Sequence, residues 1–186
     1  MKNITLLILS FERANYLDKL LEEITNQLKI LGFPKNVNIH IRINPSRISY
    51  DFIYRKYEKY SFISINENPT NIGAYNSLIK SIKEIKTDYL WWIGDDDNIY
   101  PGAIKKIISY LDEGFKFILL NFDRYRLVDN QIINHPPILP KRKLSLNSNP
   151  LKYLPKVALD IGLISSAVYE FKYYRNCLEF LLKDFP

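Results

Sequence analysis

Ile4-Thr5-Leu6-Leu7-Ile8-Leu9 is a nearly unbroken apolar run of strand length, and an amphipathic helical pattern follows it within a few residues. A strand that does not alternate with polar residues has to be covered on both faces, which is the habit of central strands in parallel sheets flanked by helices. The pattern behind it supplies such a cover. Leu17, Leu20, Leu21, Ile24, Leu28 and Leu31 follow the 3.6-residue period, Asn15 is a candidate cap, and Gly32 and Pro34 end the segment.

The same alternation continues. Val37, Ile39, Ile41 and Ile43 alternate with Asn38, His40 and Arg42, which predicts a half-exposed strand that turns out at Asn44-Pro45-Ser46. Residues 49–60 read as an amphipathic helix, 62–65 as a short strand, and 66–73 as a loop. A helix over about 75–86 carries Leu78, Ile79, Ile82 and Ile85 on one face. Tyr89-Leu90-Trp91-Trp92-Ile93 is a buried strand that stops at Gly94-Asp95-Asp96-Asp97-Asn98. Pro101 fits a first helical turn, Ala103, Ile104, Ile107, Ile108 and Leu111 form its buried face, and residues 115–122 are a further strand. The order β-α-β-α-β-α-β-α-β predicts a three-layer α/β/α open, mostly parallel sheet of Rossmann-like type.

Regularity fails from Arg124 to Pro155, where Pro136, Pro137, Pro140, Pro150 and Pro155 rule out long helices and a loop or lid is expected. Residues 157–169 are apolar around Gly162, and 173–183 could close the chain as a helix. One domain is expected over 186 residues, with residues 1–123 as its regular α/β part and 124–186 as a lid or acceptor-side part.

Bulk composition excludes more than it selects. Hydrophobic residues at 47% and charged residues at 25% describe a globular chain rather than a disordered one. A lone cysteine, Cys177, can build neither a disulfide framework nor a cysteine metal site, which makes the cytoplasm the default compartment. No apolar run approaches the ~20 residues that cross a bilayer, so membrane contact would be peripheral, at the inner face. The net charge of +6 is spread along the chain, with no basic block before Lys141-Arg142-Lys143, and nucleic acid is not expected as a partner. No GxxxxGK[ST] or GxGxxG fingerprint occurs, and His40 and His135 share no metal-ligand spacing.

The chemistry concentrates in Asp95-Asp96-Asp97. Three adjacent carboxylates at the end of a buried strand repel one another, and a cation would offset them. Hard cations such as Mg²⁺ or Mn²⁺ bind through one or two carboxylates while phosphates fill further positions. Open α/β sheets bind ligands beyond the carboxyl ends of their strands, where this cluster would lie. The alternative is that the three residues cap the helix near Pro101.

Three segments in order then resemble the family 2 glycosyltransferases of the GT-A fold, the nucleotide-diphospho-sugar transferases. ITLLILSFERANYLDKLL over 4–21 is similar to the family's opening strand, turn and first helix. NPTNIGAYNS over 68–77 is similar to its Asn-x-Gly loop, and WWIGDDDNIYP over 91–101 to its aspartate motif. The resemblance implies a nucleotide-sugar donor, expected to be a UDP-sugar, a saccharide or lipid-linked acceptor, Mn²⁺ or Mg²⁺, inversion, and a place in bacterial surface polysaccharide synthesis. It implies that Ser10 and Glu12 lie against base and ribose, that Gly73 and Asn76 approach the nucleotide, and that Asp97 and Asp95 hold metal and diphosphate with Asp96 nearer the ribose. Asn44 stands where the family often has an Asp that reads uracil. Asp160 is the candidate base.

Two other readings stay open. A nucleotidyltransferase on a related fold would favour a Gly-rich loop after the first strand, whereas Ser10-Phe11-Glu12-Arg13 has no glycine. A non-catalytic donor-binding piece or partner subunit is the third. The chain reads as ending within an element at Asp184-Phe185-Pro186, so donor binding with poor transfer is expected.

Overall fold

A computed structural model describes residues 1–121, 124–126, 131–133, 164–172 and 175. β1 (Ile4–Ser10) lies inside a six-stranded sheet of order β3-β2-β1-β4-β8-β5. β1 pairs in parallel with β2 (Val37–Ile43) on one side and with β4 (Tyr89–Gly94) on the other. β3 (Ile63–Glu67) adds to β2 in parallel, and β5 (Phe117–Leu119) is at the far edge. β8 (Ala167–Glu170) enters antiparallel beside β4, with Tyr89 opposite Glu170 and Trp91 opposite Val168. The expected α/β sheet is therefore present, with one antiparallel strand in it. That strand left no alternating signature because it is only 4 residues long.

Covering both faces of β1 explains its unbroken apolar run: Leu6, Leu7 and Ile8 are all sealed from solvent. α3 (Gly73–Glu84) packs Leu78 and Ile82, with Ile85 just beyond it, against Leu7, Leu90 and Phe171. α1 (Ala14–Ile30) buries Leu17, Leu20, Leu21, Ile24 and Leu28, as its period requires. α2 (Asp51–Tyr57) and α4 (Ala103–Asp112) complete the helices of the alternation, α4 burying Ile104, Ile107 and Leu111.

Three expectations need correction. Asn15 does not cap α1: the helix begins at Ala14 behind Arg13, without a side-chain cap. β2 is not half-exposed, since His40 and Arg42 are both buried. They face α3, where the Arg42 guanidinium pairs with Glu84 and its Nε reaches Ser81 Oγ at 3.4 Å. Burial, and then the neighbouring Arg42 charge, push the His40 pKa down, so the ring is neutral at physiological pH. Finally, the stretch expected as a loop from Arg124 contains β6 (Arg124–Arg126) paired antiparallel with β7 (Gln131–Ile133). The prolines that break regular structure begin only at Pro136.

The chain divides into two compact units, Met1–Ile118 with Val168–Pro186, and Leu119–Ala167. Within the first, Gln27 is a polar residue buried on the apolar face of α1. Its amide donates to Ile99 O (3.3 Å) and Tyr100 O (3.0 Å) and accepts from Ile104 N (3.3 Å), while Glu23 Oε2 accepts from Ile99 N at 2.8 Å. α1 thereby holds the segment that leads out of the acidic turn. Gln27→Ala removes the partner of Ile99 O and Ile104 N and one of the two on Tyr100 O, and is expected to lower unfolding stability by ~1–3 kcal/mol in a urea titration. A change within error would show that Gln27 does not hold this segment.

Candidate functional site

The carboxyl ends of β1, β2 and β4 bring Ser10, Asn44 and Asp95 together. Parallel register puts Ser10 opposite Ile43, and the Asn44 N–H donates to Ser10 O at 3.0 Å. On the other side Leu9 is opposite Gly94, so Asp95 is the first residue past β4. Ser10 Oγ donates to Asp95 Oδ2 at 2.7 Å and shares a 2.9 Å hydrogen bond with the Tyr50 hydroxyl.

Asp95 is 4% exposed, which is costly for a carboxylate unless its oxygens are partnered. Both are, because Arg13 Nη1 reaches Asp95 Oδ1 at 3.1 Å and Asp96 Oδ2 at 2.8 Å. The cation that sequence reasoning demanded to offset the acidic run is thus provided, for two of the three carboxylates, by a side chain of the same chain. Burial still raises the Asp95 pKa, against the lowering pull of Ser10 and Arg13. Burial would lower the Arg13 pKa, but the hydrogen bond and charge of Asp95 and the charge of Asp96 raise it overall.

Asp96 and Asp97 lie in the turn itself, which Asp97 N closes onto Gly94 O at 3.2 Å. Asp97 Oδ2 accepts from Gly94 N at 2.8 Å. A Cβ at Gly94 would lie 2.8 Å from Asp97 Oδ2 and 3.1 Å from Asp96 Oδ1, so the two carboxylates turn over Gly94 into space that any larger residue would make them give up. Capping of α4 does not explain the cluster, since that helix starts behind Gly102 at φ +80° without a side-chain cap.

Among the described residues no three His, Cys, Asp or Glu side chains gather into a metal cage. A magnesium-like cation needs fewer, binding through one or two carboxylates while phosphates and water fill the rest. Asp96 and Asp97 bring two carboxylates together over Gly94, with Asp96 Oδ2 also held by Arg13 and Asp97 Oδ2 by Gly94 N, while both oxygens of Asp95 are engaged by Ser10 and Arg13.

The remaining sequence candidates fall as follows. Glu12 is exposed and held at φ +60°, an uncommon conformation for a non-glycine residue that turns the chain sharply between β1 and α1. Asn44 is buried, and its Oδ1 accepts from Asn68 Nδ2 (2.9 Å), Ser77 Oγ (3.1 Å) and Ile72 N (3.4 Å). Gly73 opens α3 at φ +78°, and exposed Asn76 donates Nδ2 to Ile72 O at 2.9 Å. Asp160 lies outside the described residues. Sequence reasoning missed Arg13, Tyr50, Asn68 and Ser77. The first two bond across |i−j| separations of 82 and 40 and leave no periodic trace, whereas Asn68 and Ser77 sit at the two ends of the NPTNIGAYNS segment.

Ser10→Ala removes one of the two groups that hold the buried Asp95 carboxylate. A loss of ~1–3 kcal/mol in unfolding stability is expected, shrinking when Asp95 is also replaced by Ala. Equal losses in both backgrounds, measured by the double-mutant cycle, would show that the two side chains are not coupled.

Comparison with known proteins bears on this arrangement. Over 111 residues the chain is 29% identical to abequosyltransferase RfbV of Salmonella typhimurium strain LT2, an alignment covering 59% of this chain and 32% of RfbV. The structure of Staphylococcus aureus TarS 1–349 in complex with UDP-GlcNAc aligns with a TM-score of 0.68 at 16% identity, over 94% of this chain and 47% of TarS. The mannosyltransferase PcManGT of Pyrobaculum calidifontis, in complex with GDP-Man and Mn²⁺, aligns with a TM-score of 0.54 at 11% identity, over 69% of this chain and 37% of that one. The chain thus spans about a third of the length of RfbV and about half of the TarS 1–349 chain, and the likeness to both structures is one of fold, the GT-A arrangement of sheet and helices. The profile described as Glycosyl transferase family 2 matches residues 5–175, nearly the whole chain and all of the site just described, and the chain belongs to that family.

Proposed function

We propose that this chain binds a nucleoside-diphosphate sugar at the carboxyl ends of β1, β2 and β4 and serves in transfer of the sugar, with inversion, to a saccharide or lipid-linked acceptor in bacterial surface polysaccharide synthesis. The observation that carries the reading is the carboxylate cluster at the end of β4, with Asp95 locked by Ser10 and Arg13 and with Asp96 and Asp97 turned over Gly94. Open α/β sheets present ligands at such strand ends. Membership of the family and the name of the RfbV relative support the reaction class, and the nucleotide sugars in the TarS and PcManGT structures support the donor class.

Mn²⁺ or Mg²⁺ fits the site, with Asp97 and Asp96 as its protein ligands and Asp95, also expected from sequence, as the buried anchor beside them. The bound cation would supply Lewis-acid neutralisation of the departing diphosphate. The chain's own groups do the rest. Ser10 and Tyr50 fix the Asp95 carboxylate, and Gly94 lets the other two approach. Arg13, half exposed, is a second positive charge within reach of a diphosphate at the turn. Glu12, Gly73 and Asn76 line the approach on the base and ribose side, and Asp160 is the candidate to take the acceptor proton. A position at the inner face of the membrane, with peripheral contact, suits a lipid-linked acceptor; no described helix is long and apolar enough to cross a bilayer.

A thermal-shift titration tests this. A nucleoside diphosphate should raise the melting temperature with Mn²⁺ or Mg²⁺ present and much less in EDTA, because diphosphate and carboxylates share a cleft poorly without a cation. Asp97→Ala should abolish the metal-dependent shift and, through the lost Gly94 bond, lower apo stability by only ~1 kcal/mol. Equal shifts in metal and in EDTA would overturn the metal assignment.

A further inference from the structure

Four side chains form a buried chain of hydrogen bonds behind the base-side wall of the site, and its direction can be read from one end. Lys80 Nζ, which can only donate, lies 3.3 Å from Asn68 Oδ1. That places the Asn68 oxygen towards Lys80 and its Nδ2 towards Asn44 Oδ1 (2.9 Å) and Ser77 Oγ (2.9 Å). The Ile72 N–H, also a pure donor, points at the same Asn44 oxygen from 3.4 Å. Ser77 Oγ completes the set as a third donor to it at 3.1 Å. Asn68 and Ser77 are 2% and 1% exposed, so these bonds are shielded from bulk solvent.

With Oδ1 consumed by three donors, Asn44 has one group left, the Nδ2 amide. It makes no hydrogen bond among the described residues, nor is it among their sealed partnerless atoms, which are Asn36 Oδ1, His40 Nε2 and Glu170 Oε2. The amide therefore opens to solvent from a residue that is otherwise buried at 6% exposure. It does so one backbone hydrogen bond from Ser10, and hence beside the Asp95 anchor.

We propose that Asn44 is a base-selecting residue that offers an N–H donor, oriented by Lys80 through Asn68, and that it favours a cytosine nucleotide over a uracil nucleotide. The proposal rests on the donor-binding reading above. Cytosine presents two adjacent acceptors, O2 and N3, so an amide N–H facing that edge meets only acceptors. Uracil carries an N3–H between its carbonyls, which opposes a donor with a donor. A carboxylate at this position would reverse the preference, because it can only accept. A site whose polar group is buried and fixed discriminates strongly between such partners, since the wrong one leaves it unpaired.

The test measures the dissociation constants of CDP and UDP at fixed Mn²⁺ for the 186-residue chain and for two variants. Asn44→Asp keeps an oxygen for Asn68, Ser77 and Ile72 and changes only the atom that faces the ligand. Its added charge weakens both nucleotides alike and cancels in their ratio. The unsubstituted chain should bind CDP about tenfold or more tightly than UDP, the size of one buried hydrogen bond. Asn44→Asp should reverse that order. Lys80→Met removes the donor that sets the Asn68 amide, leaving only the longer Ile72 N–H contact to hold Asn44, and should bring the ratio towards one, with apo melting confirming that both variants fold. Preference for UDP or equal binding by the unsubstituted chain overturns the proposal, as does an unaltered ratio in Asn44→Asp; an unaltered ratio in Lys80→Met overturns the orienting role of Lys80. If neither nucleotide binds the unsubstituted chain, the donor-binding reading itself fails.

Discussion

Asp95 is a carboxylate with 4% exposure at the end of a strand whose neighbours are apolar, and the arrangement around it follows from the need to satisfy its two oxygens. One oxygen takes the Ser10 hydroxyl, which in turn positions Tyr50; the other takes Arg13, which also reaches Asp96. Those contacts tie the ends of β1 and β4 to the start of α1, because an uncompensated buried charge costs several kcal/mol while a paired and hydrogen-bonded one does not. The left-handed Glu12 just before Arg13 belongs to the same geometry. A sharp turn there brings the Arg13 guanidinium back over the strand end that the chain has just left.

Beneath this anchor the sheet does what parallel sheets do: it lines up strand ends and leaves a cleft beyond them. What distinguishes this chain is how it equips the three adjacent ends. β4 ends in carboxylates over a glycine, β1 in a hydroxyl that fixes one of them, and β2 in an amide whose oxygen is already spent. Carboxylates on one side and an N–H donor on the other suit the nucleoside-diphosphate sugar proposed as the donor. Behind that amide, Ser77 and Lys80 of α3 and Asn68 before it act through Asn44 rather than on a ligand directly.

How much of this was legible in the sequence depended on range. The apolar run of β1, the 3.6-residue period of α1 and the abrupt change from Trp91-Trp92-Ile93 to three aspartates are local signals, and each marks its element within a few residues. The acidic turn stood out in the sequence because three adjacent carboxylates after a core strand repel one another and call for a positive partner. Its internal counter-cation did not, because Arg13 and Asp95 are 82 positions apart and Arg13 looks like an ordinary surface residue beside a helix start. His40 and Arg42 misled for a related reason. Alternation on β2 implies a wet face, but α3 covers that face and Glu84 supplies the charge that lets Arg42 stay buried. The short antiparallel strand β8 and the β6–β7 pair, of 4 and 3 residues per strand, are too brief for a period to show.

The central claim is that the turn Gly94–Asp97, anchored through Asp95 to Ser10 and Arg13, is where the donor's diphosphate binds. The most direct measurement is a crystal structure of the chain grown with Mn²⁺ and a nucleoside diphosphate. The account predicts the cation on Asp96 and Asp97, the diphosphate against it with Arg13 alongside, and the base on the Asn44 side of Ser10. A nucleotide bound elsewhere, with Asp95 to Asp97 touching neither metal nor phosphate, would contradict it.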